Sequence, residues 1–151
     1  AGRFVVAWGE QDLPDNRVEL RRFFVEPGEV PPTAFAGDVL VAQTALGVLM
    51  GNVNMASDGA FVVSYADQSD PNSARALEFT RTGAVLTGGP ATPSDTTSNN
   101  IDAGVGLREY LLAWQEPGVS TDIRGRRYVR RAVFSDDFET GGSEGWSGVA
   151  P

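Results

Sequence analysis

One stretch of this chain is written three times. Gly2-Arg3-Phe4-Val5-Val6-Ala7-Trp8 returns as Gly59-Ala60-Phe61-Val62-Val63-Ser64-Tyr65, and in degraded form as Arg108-Glu109-Tyr110-Leu111-Leu112-Ala113-Trp114. Each copy leads into a polar loop and then a second run ending in an aromatic: Val18 to Phe23, Ala74 to Phe79, Ile123 to Tyr128. The step is 57 residues from Phe4 to Phe61 and 49 from Phe61 to Tyr110. A unit of this size cannot bury its own faces, so each copy needs a like neighbour.

The runs themselves read as β. Phe4 to Trp8 is nearly continuous apolar sequence, the mark of a strand buried on both faces. Gln11 to Asn16 carries Pro14 and Asx residues and reverses the chain. Val18 to Phe23 starts in period-two alternation and reads as the hairpin partner. Asp38 to Val41 and Gly47 to Met50 are two further short strands, which gives about four per unit, the content of a propeller blade. In the second copy, Asn52 to Ala56 is a strand, Ser57-Asp58-Gly59 a tight turn and Ala60 to Ala66 the inner strand. Asn100-Ile101-Asp102-Ala103-Gly104 echoes Asn52-Val53-Asn54-Met55-Ala56. Val105 to Gln115 could pass as a short helix, but the repeat argues strand. The expected fold is all-β: propeller-like blades, about three repeats and incomplete, with an irregular C-terminal tail. Residues 1–133 form the repeat domain, in units of about 1–51, 52–99 and 100–133; residues 134–151 are an acidic, Gly-rich tail.

Composition narrows the chemistry. There is no His and no Cys, and all twelve basic residues are Arg. That removes Ser-His-Asp triads, thiol nucleophiles, His or Cys zinc sites, Schiff-base lysines and a P-loop lysine. Carboxylate chemistry remains, but no feature selects a pair of carboxyls from the 20 acids as a glycosidase would need. The expectation is that the chain is not an enzyme. A net charge of −8 disfavours nucleic acid and anionic lipid. No apolar run approaches the roughly 18 residues of a membrane span. Opening inside a repeat, without an initiator Met, the chain reads as the C-terminal piece of a longer, processed protein.

The loops after the inner strands carry carboxylates at matching places: Glu10, Asp12 and Asp15; Asp67 and Asp70 with Asn72; Glu116 and Asp122. Asp67, Asp70 and Asn72 form the best oxygen set for Ca²⁺, although Asp, Asn and Pro also simply make turns. No other cofactor is expected. Trp8, Tyr65 and Trp114 recur at one repeat position, as inter-sheet core plugs or, alternatively, as stacking platforms for a sugar. Five Arg fall between Arg124 and Arg131. They read as a charged edge strand, or as partners for the acidic tail at Asp136, Asp137 and Glu139.

Ser57-Asp58-Gly59-Ala60-Phe61-Val62-Val63-Ser64-Tyr65 and Ala74 to Gly83 resemble the tandem repeats of large secreted bacterial proteins. The third copy departs, with Arg108-Glu109 where Asp-Gly is the pattern. The tail, Phe134 to Ser147, is similar to an Asp-x-Phe-Glu-Ser-Gly…Trp segment at the C-termini of many secreted proteobacterial proteins. The resemblance implies propeller-like blades at the cell surface or outside the cell, often adhesive. The functional expectation is a non-enzymatic extracellular scaffold or binding module. Alternatives are a carbohydrate-binding or accessory domain of a surface hydrolase, or a structural subunit of a surface or membrane-associated complex. The expected partner is a protein, or a missing upstream segment, covering an open sheet edge at the first copy; a glycan is the other candidate.

Overall fold

The computed structural model describes residues 2–12, 15–28, 32–34, 37–44, 47–68, 73–86, 91, 99–116 and 122–130. These residues contain ten strands and no helix. The strands are β1 (Gly2–Asp12), β2 (Asp15–Val25), β3 (Thr33–Ala34), β4 (Val39–Thr44), β5 (Val48–Met55), β6 (Phe61–Asp67), β7 (Ser73–Phe79), β8 (Asn99–Val105), β9 (Glu109–Glu116) and β10 (Asp122–Val129). They form three antiparallel sheets. The N-terminal sheet is β1-β2-β3 with β4 also on β2, the middle sheet β5-β6-β7, and the C-terminal sheet β8-β9-β10. All-β architecture thus holds among the described residues, and Glu109–Glu116 is strand rather than helix.

Each sheet is built on the same hairpin, β1-β2, β6-β7 and β9-β10. The aromatics that the repeat singles out sit directly opposite one another: Phe4 with Phe23, Phe61 with Phe79, Tyr110 with Tyr128. Their rings stack nearly parallel, with centroids 4.9, 4.9 and 5.1 Å apart. Cross-strand pairs of this kind pin register, since a one-residue slip would send every side chain to the other face.

Alternation then gives each sheet two distinct faces. We call the face carrying Phe61, Val63, Tyr65, Leu77 and Phe79 the front. It packs on Val18 and Leu20 of the N-terminal sheet. The back of the middle sheet, with Val62, Ala66, Ala74 and Ala76, receives Tyr110, Leu112 and Trp114 from the front of the C-terminal sheet. Front therefore packs on back twice, aromatics meeting aliphatic Val18 and Leu20 at the first joint and mainly alanines at the second. The middle layer is buried on both sides, and β6 is buried from Phe61 through Ala66.

The first copy differs from expectation for that reason. Its front residues Phe4 and Val6 are 37% and 42% exposed, although their sequence matches buried Phe61 and Val63. The apolar run of β1 is a strand made for burial on both faces, but its sheet is the end of the stack. β1 also lies at its sheet edge, on the side where β5 pairs with β6 and β8 with β9.

Two readings of β5 and β8 need correction. Gly47 to Met50 and Asn52 to Ala56 are not separate strands: β5 runs through both, with a bulge between Met50 and Val53. A Cβ on Gly51 in that bulge would lie 2.5 Å from the Ile101 carbonyl oxygen and 2.8 Å from Ser64 Oγ, so glycine lets β5 and β8 approach backbone to backbone. The echo is also displaced by two residues. Asn54 opposes Val62 and Gly104 opposes Leu111, which makes Gly104 the counterpart of Asn54 and Asp102 that of Asn52. The shift accommodates a shorter third turn, four residues between Val105 and Tyr110 against five between Met55 and Phe61.

The layer argument separates two tryptophans at one repeat position. Trp114 is 5% exposed inside the stack, whereas Trp8 is half-buried on the open front. Trp114→Ala is expected to cost about 3–5 kcal/mol and Trp8→Ala less than half as much, read as shifts in the urea midpoint. Equal costs would place both in equivalent surroundings.

Candidate functional site

The repeated carboxylates are clamps at the closed, loop end of each hairpin. Glu10 Oε1 accepts from Trp8 Nε1 at 3.3 Å, and Glu10 Oε2 from Arg17 Nε at 2.9 Å. In the third copy Glu116 accepts from Trp114 Nε1 at 3.2 Å and from Arg124 Nε at 3.3 Å. In the second, Arg75 Nε lies 3.9 Å from Asp67 Oδ2. The pattern is an aromatic, an acid two residues on, and an arginine on the return strand. Arg75 and Arg124 sit opposite the aromatic, while Arg17 sits opposite the acid, so spacing from the aromatic alone did not disclose the arginines. Asp67, the first residue of the candidate Ca²⁺ set, thus lies beside Arg75. Asp70 and Asn72 lie outside the described residues, as does the tail 134–151. No group of three or more metal-ligating His, Cys, Asp or Glu occurs among the described residues.

Arg130, read from the sequence as part of a charged edge, is instead a buried staple. β10 is an edge strand with Arg124, Arg126 and Arg127 exposed. Two residues beyond Tyr128, however, the Arg130 side chain turns into the joint between sheets at 1% exposure. Its Nε donates to Glu78 Oε1 at 2.9 Å and its Nη2 to Asp58 Oδ2 at 3.1 Å, both in the middle sheet's unit. Its Nη1 donates to the carbonyls of Gly106 and Leu107 at 2.9 Å, and its backbone N–H to that of Arg108. Burial alone would lower its pKa, but the bonds to Glu78 and Asp58 outweigh that and raise it. The second turn is an Asx turn, with Asp58 Oδ1 accepting from Ala60 N at 3.0 Å and Gly59 at φ 84°. The third lacks Asp-Gly, and Arg130 holds its carbonyls instead.

Strands β5 and β8 meet in a polar seam. Asn52 donates to the Asp102 carboxylate, and Asn54 to the Ala103 carbonyl. The β5 bulge and a second one in β8, between Asn99 and Asp102, flank a cleft of about 350 Å³, lined by Met50, Asn52, Asn100, Ile101 and Asp102 among others. Asn100 sits in the left-handed region at φ 47°, its Nδ2 2.7 Å from Gln115 Oε1. At the first joint the polar link is Arg22, which donates to the Thr82 carbonyl.

The most extended candidate surfaces are the two ends of the stack. The open front of the N-terminal sheet presents Phe4 and Val6, with Leu40 52% exposed beside them. It is edged by the Arg21–Asp38 pair, with bonds of 2.6 and 2.7 Å; that guanidinium holds the Asp38 carboxyl below its usual range. The open back of the C-terminal sheet presents Leu111, Ile123 and Val129, at 51%, 75% and 76% exposure. No helix among the described residues is long and apolar enough to cross a membrane. Neither a protein-family model, nor a curated protein, nor a solved structure matches the chain.

Two consequences are measurable. Arg130→Ala strands the buried Glu78 carboxylate and is expected to cost about 3–5 kcal/mol, whereas Arg130→Met with Glu78→Leu should recover most of it; comparable loss in both variants would mean that the charges themselves hold the joint. Tyr65 is pushed up to about 12, chiefly by burial and further by Asp67, against the pull of Arg75. A phenol with a raised pKa stabilises the fold fully below pH 10 and loses that contribution as pH climbs toward 12. About 2–3 kcal/mol of stability should fade over that window. Tyr65→Phe should flatten the alkaline limb of the stability curve; an unchanged limb would show that Tyr65 does not govern it.

Proposed function

We propose that the chain is a non-enzymatic β-repeat module, a scaffold or binding element at the bacterial cell surface or outside the cell, with its repeats arranged as propeller-like blades. The observation that carries this reading is the recurrence of one joint. The middle and C-terminal sheets each set an aromatic front on the aliphatic back of the sheet before, and both terminal faces keep the composition of a joint. The blade reading is supported by strand content: β5-β6-β7 is extended by bridges from Phe79 to Val85 and from Ala76 to Ala91, as β2 carries β3 and β4. A sequence without His, Cys or Lys supports a non-catalytic role. The resemblance to secreted tandem repeats supports the location.

A second reading, a carbohydrate-binding or accessory domain, draws on Trp8. Its half-exposed ring lies on the open front, with the Glu10 carboxylate on its indole N–H and Arg17 alongside. An aromatic platform flanked by hydrogen-bonding charges suits a sugar. A hydrolase screen and a glycan array on the purified chain test both. The module reading expects no turnover with any substrate class. Glycan binding lost in Trp8→Ala and kept in Trp114→Phe would favour the second reading, and turnover that co-purifies with the chain would overturn the first.

A further inference from the structure

We infer that copies of this chain associate head to tail, the open front of one copy's N-terminal sheet docking on the open back of another's C-terminal sheet. The inference rests on the module reading and names the occupant of its exposed faces.

The argument is continuity with joints the chain already makes. Phe4, Val6 and Trp8 hold the positions of Phe61, Val63 and Tyr65 and of Tyr110, Leu112 and Trp114, and both of those sets are seated on the back of a sheet. The seats share a pattern, with small or medium residues at the centre of the hairpin: Ala7 opposite Leu20, Ser64 opposite Ala76. On the C-terminal sheet the same place holds Ala113 opposite Gly125, flanked by exposed Leu111 and Ile123. The front on offer is bulky and the back on offer has room for it.

Charge points the same way. At both internal joints, the back-face residue just before the terminal aromatic reaches the segment just after the next sheet's aromatic. Arg22 donates to the Thr82 carbonyl, and Glu78 accepts from Arg130. On the open back that position is Arg127, whose side chain is 73% exposed beside Glu109 at 3.4 Å. On the open front the following segment is Val25 and exposed Glu26. A head-to-tail joint therefore brings Arg127 toward Glu26, a pair of correct sign. Front-to-front docking would instead set aromatic on aromatic and leave Arg127 out.

Because the two faces differ, the contact is heterologous: it propagates, or closes into a ring, rather than stopping at a two-fold dimer. Light scattering across a concentration series should show assembly beyond the monomer. Val6→Arg blocks the front and Leu111→Arg blocks the back, and both sites are already exposed, so far-UV circular dichroism should be unchanged. Leu40→Arg and Ile123→Arg stand in should either variant misfold. Each variant alone should associate at least tenfold more weakly, a loss of about 1.4 kcal/mol or more. Mixed together, the two retain one good front and one good back and should form a capped 1:1 complex. Arg127→Glu should weaken association, and adding Glu26→Arg should restore it. A folded wild-type chain that stays monomeric at every concentration overturns the inference, as does a back-blocked variant that associates like wild type or a mixture that forms no complex. None of those results touches the non-enzymatic reading, which falls by turnover instead.

Discussion

A sheet of three or four short strands has two faces and too little width to bury either on itself. This constraint governs the molecule. Every hairpin in the chain places a pair of rings near its open end, Phe4 on Phe23, Phe61 on Phe79, Tyr110 on Tyr128. Those rings and the residues beside them reach low energy only when a second sheet closes over them. The middle sheet satisfies both faces, and its Phe61, Phe79, Val62 and Val63 are at 1% exposure or less. Full burial of one such side chain is worth about 1.5–3 kcal/mol. Stability in a stack like this comes mainly from the joints between units, as in other repeat architectures.

Apolar layers slide easily, and the polar contacts at each joint set the alignment. Arg22 to the Thr82 carbonyl does this at the first joint. At the second, Asn52 with Asp102, Asn54 with the Ala103 carbonyl, and Arg130 with Glu78 and Asp58 do the same. A buried ion pair need not add net stability, because desolvation offsets much of the Coulomb gain. Its physical effect here is orientation: a guanidinium with two carboxylates and three carbonyls around its residue has one position in which all are satisfied. Arg130 also ties the third turn to the middle sheet, so the least regular copy of the repeat is held by the most connected side chain.

The ends of the stack follow from the same logic. A front face built for a joint does not change composition at the first sheet, nor a back face at the last, so Phe4, Val6, Leu111 and Ile123 stand in solvent. Terminal units of a repeat array ordinarily carry a polar outer face. The Arg21–Asp38 pair and the arginines of β10 edge these surfaces without covering them.

The three-fold repeat, the hairpins and the strand content were legible from residues alone, because period-two alternation, the Asp58-Gly59 turn and matched aromatics are local signals. So was the pairing of the terminal aromatics, since a hairpin brings them together whatever surrounds it. Which copy is buried was not legible. Phe4-Val5-Val6 and Phe61-Val62-Val63 carry the same letters, and what distinguishes them is whether another layer lies in front. The arginine clamps on Glu10 and Glu116 escaped notice because the return-strand arginine sits at two different registers, which only the cross-strand pairing reveals. Arg130 looked like its exposed neighbours Arg124, Arg126 and Arg127 in sequence; its partners Glu78 and Asp58 lie 52 and 72 residues away. By itself the sequence determined that the chain is β, repeated and in need of neighbours. Only the tertiary structure decided which faces meet and which charges are buried, because those depend on contacts between distant units.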